Sequence, residues 1–117
     1  MSYNQYLQGK AIQTGCEWRL KIKITSSALA AFPTTARFSA SVRRDSADGD
    51  LLITMSSAAG SVIRVDGNTL ELVLKGTDTA AWSAGTVVLD VIRTDLTQKI
   101  HLGFELEIPV KRSVTRL

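Results

Sequence analysis

Apolar and polar residues alternate strictly along Trp18-Arg19-Leu20-Lys21-Ile22-Lys23-Ile24, with Trp18, Leu20, Ile22 and Ile24 on one face and three cations on the other. Period two over that length predicts a half-buried antiparallel strand. The cations would also guard it against foreign pairing at an edge. The alternation returns in residues 36–43, with Phe38, Ala40 and Val42 inward, and in residues 51–55, with Leu51, Ile53 and Met55 on one face. Between them Asp45-Ser46-Ala47-Asp48-Gly49-Asp50 carries the Asp-Gly signature of a hairpin. Residues 61–65 make a short strand, and Asp66-Gly67-Asn68 makes a second tight turn. The chain returns through residues 69–74 with Leu70, Leu72 and Leu74 in register. Residues 86–93 are the longest β-branched run, and Asp95-Leu96-Thr97-Gln98-Lys99 turns the chain. In residues 100–108, Ile100, Leu102, Phe104, Leu106 and Ile108 face in while His101, Glu105 and Glu107 face out. Pro109, which has no amide hydrogen to give a ladder, is expected to end that strand.

One stretch breaks the rhythm. Thr77-Asp78-Thr79-Ala80-Ala81-Trp82-Ser83-Ala84-Gly85 reads as a helical turn, capped by Thr77 or Asp78 and stopped by a left-handed Gly85. It sets Trp82 to plug the open end of a sheet core. Ala28-Leu29-Ala30-Ala31-Phe32 also allows a helical turn, halted by Pro33. Ser56-Ser57-Ala58-Ala59-Gly60 is a loop of small residues. Residues 1–15 are polar apart from Tyr3, Tyr6, Leu7 and Ile12, an arm that is either mobile or docked. The pattern predicts an all-β chain, a single antiparallel β-sandwich (Ig-like or similar) of about seven strands with one short helical turn. Its expected divisions are an N-terminal arm (1–15), the β-sandwich domain (16–109) and a basic C-terminal tail (110–117).

Composition narrows the function more than the fold. The 117 residues suffice for one core and carry a net charge of +3 spread along the chain, a weak invitation to a polyanion. Arg43, Arg44, Lys111, Arg112 and Arg116 could gather into a basic patch, but no aromatics interleave with them, which argues against nucleic acid. The single cysteine, Cys16, has no partner for an internal disulfide and points to a reducing compartment. No apolar run suggests a signal peptide or a membrane anchor. His101 is the only histidine, which excludes a metal site built on two histidines of one chain. Asp45, Asp48 and Asp50 around Gly49 lack the spacing and closing glutamate of a calcium loop. Glu105 and Glu107 share a face, as paired catalytic carboxylates would, yet alternate glutamates on a solvated strand imply no pocket. Asp90, a carboxylate inside a β-branched run, is expected to point outward or to bond nearby backbone. No catalytic, cofactor or metal residues are assigned, and the reading is of a protein that is not an enzyme.

Taken in order, Trp18-Arg19-Leu20-Lys21-Ile22, Ala36-Arg37-Phe38, the Asp78-to-Gly85 segment, Leu89-Asp90-Val91, Gly103-Phe104-Glu105-Leu106-Glu107-Ile108 and the closing Val114-Thr115-Arg116 resemble small bacteriophage and prophage virion proteins. The resemblance spans about residues 16–116 and implies a tail, baseplate or fibre-associated module with a β-sandwich fold. It implies a non-enzymatic structural role, other virion proteins and further copies of the chain as partners, and a passage from host cytoplasm to virion. The alternative is a free-standing ligand-binding sandwich, for carbohydrate or protein, with Trp18 or Trp82 as a stacking platform.

Overall fold

The structure is a computed structural model, and it describes residues 6–8, 11–24 and 32–114. Tyr3, most of the helical turn expected at residues 28–32, and Arg116 lie outside the described residues. The strands are β1 (Tyr6–Gln8), β2 (Ile12–Gln13), β3 (Trp18–Lys23), β4 (Phe38–Arg44), β5 (Leu51–Ser56), β6 (Val62–Asp66), β7 (Thr69–Leu74), β8 (Gly85–Arg93) and β9 (Ile100–Lys111). One short helix, α1 (Gly76–Thr79), joins β7 to β8. Among the described residues nine strands therefore replace the seven expected, because the N-terminal segment contributes two short ones.

Two sheets face one another. The larger has the order β1-β9-β8-β4-β5 with β2 also on β9, and the smaller has the order β3-β7-β6. Antiparallel hairpins join β4 to β5, β6 to β7 and β8 to β9, while β3–β4, β5–β6 and β7–β8 cross between sheets. This is the order of an immunoglobulin-type sandwich with one added edge strand, β5. Its first strands run parallel to its last, β1 along Glu105, Leu106 and Glu107, and β2 along Val110 and Lys111.

Alternation supplies the core. Phe38, Ala40 and Val42 meet Val87, Leu89 and Val91 on one layer, and Trp18, Leu70, Leu72 and Leu74 fill the other. Each large aliphatic side chain so enclosed contributes about 1.5–3 kcal/mol. Phe32 packs edge-on to Phe38, ring centroids 4.8 Å apart, and closes one region of the interior.

Several expectations about boundaries fail for physical reasons. The helix begins at Gly76, with Lys75 as its extended first cap; Asp78 works from inside the turn, accepting from the Lys75 amide at 2.9 Å. Neither Thr77 nor Asp78 is therefore the cap that the sequence suggested. Gly85 does not stop the helix but opens β8, the helix having ended at Thr79. The helix starts early because it is docked: the Thr79 hydroxyl accepts from the Gly15 amide at 3.1 Å, and Gly76 lies so close to the Gly15 carbonyl that a Cβ there would collide with it. Pro109 does not end β9, which runs on to Lys111. It falls in the interval between Glu107 and Val110 where neither β1 nor β2 pairs, so an amide hydrogen is least needed there. The arm and the tail are not wholly peripheral either, since Ile12 and Val110 are buried in the core. Thr14 and Ser113 are buried beside them, the Ser113 hydroxyl donating to the Thr14 carbonyl at 2.6 Å and the Ser113 amide to the Thr14 hydroxyl at 3.2 Å. Leu51 leaves the inward row of Ile53 and Met55, because the β4–β5 register shifts between Val42 and Arg43.

Candidate functional site

The outer face of the large sheet gathers several of the polar residues that the sequence singles out. Ser41, Asp90 and Glu105 stand in one cross-strand row, and they line a shallow recess with Arg43, Ala47, Val88 and Leu89. Next to this row the β8–β9 ladder is irregular. Asp90 pairs with Glu105 and Ile92 with His101, so Val91 alone on β8 faces Leu102, Gly103 and Phe104 on β9. Gly103 takes up the surplus at φ 84°, a conformation that glycine enters at little cost, and Leu102 and Phe104 both stay buried.

The bulge brings His101 to Asp90. His101 Nε2 lies 3.0 Å from Asp90 Oδ2, and the Gly103 amide donates to His101 Nδ1 at 2.9 Å. Acceptance at Nδ1 assigns the ring hydrogen to Nε2, where it is donated to the carboxylate. Both ring nitrogens are thus occupied, one by backbone and one by Asp90. The ring has no lone pair free to take a proton from a nucleophile such as the Ser41 hydroxyl. The imidazole is a clasp over the bulge, one nitrogen on backbone and the other on Asp90. Its side chain is 48% exposed and that of Asp90 40%, so solvent screens whatever ionic character the contact has. Asp90 does point outward as expected, though its partner is a side chain and not backbone.

The remaining candidates disperse. Arg43 and Arg44 leave opposite faces of β4; Arg43 donates to the Gly49 carbonyl at 3.1 Å and Arg44 to the Ser83 carbonyl at 3.1 Å. Lys111 and Arg112 are exposed at the end of β9. The Asp45-to-Asp50 segment is the hairpin turn between β4 and β5. Among the described residues no group of three metal-ligating side chains comes together. Cys16 is exposed, its sulfur 3.8 Å from the Ser113 hydroxyl. Trp18 is 1% and Trp82 7% exposed, and neither ring offers a face for stacking.

Two arginines, in three ion pairs, organise strand ends. Arg93 grips Asp95 through Nε at 2.8 Å and Nη2 at 3.0 Å, while the Arg37 amide donates to the same carboxylate at 3.1 Å. The Arg93 hydrogen bond, helped by that of the Arg37 amide, draws the Asp95 carboxyl down to about 2 against burial that opposes it. On the small sheet Arg19 bridges Glu17 and Glu71, each at 3.2 Å, and its guanidinium is raised chiefly by the hydrogen bond to Glu17.

A different feature was missed in reading the sequence. Beside β5 runs a groove lined by Ile53, Thr54, Ala59, Gly60, Ser61, Val73, Lys75 and Asp78. It brings residues of β5 and the β5–β6 loop beside Val73 of β7, Lys75 just ahead of α1 and Asp78 within it. Its signal was present: Leu51-Leu52-Ile53-Thr54-Met55-Ser56 has no charged residue on either face. A scan against protein-family models finds no match for the chain, and none of the curated proteins matches it.

Proposed function

We propose that the chain is a non-enzymatic structural component of a phage or prophage particle, tail-, baseplate- or fibre-associated, that acts through contacts with other virion proteins and with its own copies. The observation that carries the non-enzymatic part is the occupancy of His101. The one imidazole available for acid–base work is committed at both nitrogens to holding a strand bulge. The uncharged β5 edge and the groove beside it would suit contact with another protein better than turnover. The particle itself is argued from the ordered motifs of the sequence. A carbohydrate-binding module is less well supported, because both indole rings are enclosed and stacking would need one exposed. Mass spectrometry of purified particles, induced from a host that encodes the chain, tests the proposal. The chain should be present in fixed stoichiometry with the tail proteins. Its absence from particles that contain every other virion protein would overturn the reading.

A further inference from the structure

We infer that His101 is an acid-operated latch on the outer face of the large sheet. A proton and the Gly103 amide compete for the same lone pair of its ring, so acidification frees the bulge residue and leaves the ring as a cation held by Asp90.

The competition follows from the two contacts of the ring. Nε2 carries the hydrogen given to Asp90 Oδ2, 3.0 Å away, so the one lone pair of the neutral ring lies on Nδ1. There the Gly103 amide donates to it at 2.9 Å. A further proton can enter only at Nδ1. Once it does, that nitrogen is a donor, and the Gly103 amide loses its acceptor. The proton needs no unfolding to arrive, because the side chain is 48% exposed. Imidazoles ordinarily change charge between roughly pH 5 and 8, and the latch is fastened at the upper end of that range and open at the lower.

The charged surroundings decide where the freed ring stays. Asp90 of β8 touches it, and Glu105 of β9 stands opposite Asp90 in the cross-strand register, so two carboxylates attract the imidazolium. Arg43 of β4 lines the same recess as those carboxylates but is directed to the Gly49 carbonyl at 3.1 Å. Arg93 at the end of β8 is taken up by Asp95, and β1 brings Tyr6, Leu7 and Gln8, none of them charged in this range. Opening remains local. Gly103 at φ 84° is the surplus residue of the ladder, and Leu102 and Phe104 on either side of it are buried. The recess lined by Ser41, Arg43, Asp90 and Glu105 thus gains a neighbouring positive charge in acid, while the core beneath it is kept.

The test uses the full chain and nuclear magnetic resonance. The His101 ring nitrogens and the exchange of the Gly103 amide are followed together across the titration, exchange being expressed as protection relative to an unstructured amide at the same pH. Protection of Gly103 should fall by roughly fivefold, the worth of one hydrogen bond, with the midpoint at which the ring gains its proton. His101→Asn has a side-chain oxygen that can accept from the amide two residues on and does not titrate, and its Gly103 protection should be flat over the same range. His101→Ala, with no acceptor, should be flat as well and as low as the acid form of the native chain. Gly103 protection that ignores the ring's titration overturns the latch. So does a fall that persists in His101→Asn or His101→Ala, or a neutral ring that carries its hydrogen on Nδ1.

Discussion

Asp95 shows how one exposed carboxylate can hold two elements together. It takes two hydrogen bonds from Arg93 at the end of β8 and one from the Arg37 amide just ahead of β4. Its carboxyl is drawn from 3.8 to about 2, so it binds its proton less readily folded than unfolded. A depressed carboxyl contributes stability that is fully present above the unfolded value and is lost as pH falls through the folded one. Stability should therefore decline between pH 3.8 and about 2, and Asp95→Asn should remove that part of the decline. Acid unfolding followed by circular dichroism measures it; identical acid limbs for both proteins would show that the pair does not couple to folding. At this scale the sequence revealed orientation but not partnership. Alternation placed Asp90 and His101 outward correctly, whereas their contact depends on the bulge at Gly103. A regular ladder continuing from the Asp90 and Glu105 pair would have set His101 opposite Thr94.

Among the elements, strands were legible and their ends were not. Period-two alternation reports which face meets the core, and β4 and β7 bury the residues it selects. On β3 Leu20 is only half-buried, and on β9 Ile100, also expected inward, opens the strand opposite Arg93 and is 37% exposed. Ends are decided by neighbours that the local sequence does not display. The short parallel partners of β9 leave an interval for Pro109, and the Gly15 backbone fixes the start of α1. The segment after α1 was read more securely, since an indole next to small residues has few places to go. Trp82 is buried in the core cluster, and its amide donates to the Thr79 carbonyl at 2.9 Å. Trp82→Ala should cost about 3–5 kcal/mol, the range for emptying a large aromatic site. Thermal or urea denaturation would read this loss, and an unchanged midpoint would mean that the indole contributes nothing to the core.

For the whole molecule the decisive contacts join the chain's two extremes. Thr14 and Ser113 bond one another across a sequence separation of 99 residues, and Ile12 packs in the same core as Val110. Nothing local announces such contacts, which is why the sequence reading set both segments apart from the sandwich. Cutting at residues 15 and 110 would remove all four residues and should abolish cooperative unfolding. Cutting only residues 1–5 and 115–117 should leave the melting temperature within a few degrees of the full chain. Differential scanning calorimetry distinguishes these outcomes, and a cooperative transition in the shorter chain would show that the clasp is dispensable. Only the milder truncation can then ask whether the extreme ends help copies associate.

The parallel pairing of β1 and β2 with β9 has a mechanical consequence. Tension applied between the chain's two ends pulls β1 backward and β9 forward along a common line. Their hydrogen bonds lie across that line, so the load falls on a whole ladder at once and does not open it bond by bond. The β8–β9 hairpin, pulled from its open end, would instead unzip. Rupture under tension is governed by the rate of crossing a barrier and not by the equilibrium free energy. A sandwich of modest thermal stability can therefore withstand a brisk pull along its length, provided its first strands remain seated against its last.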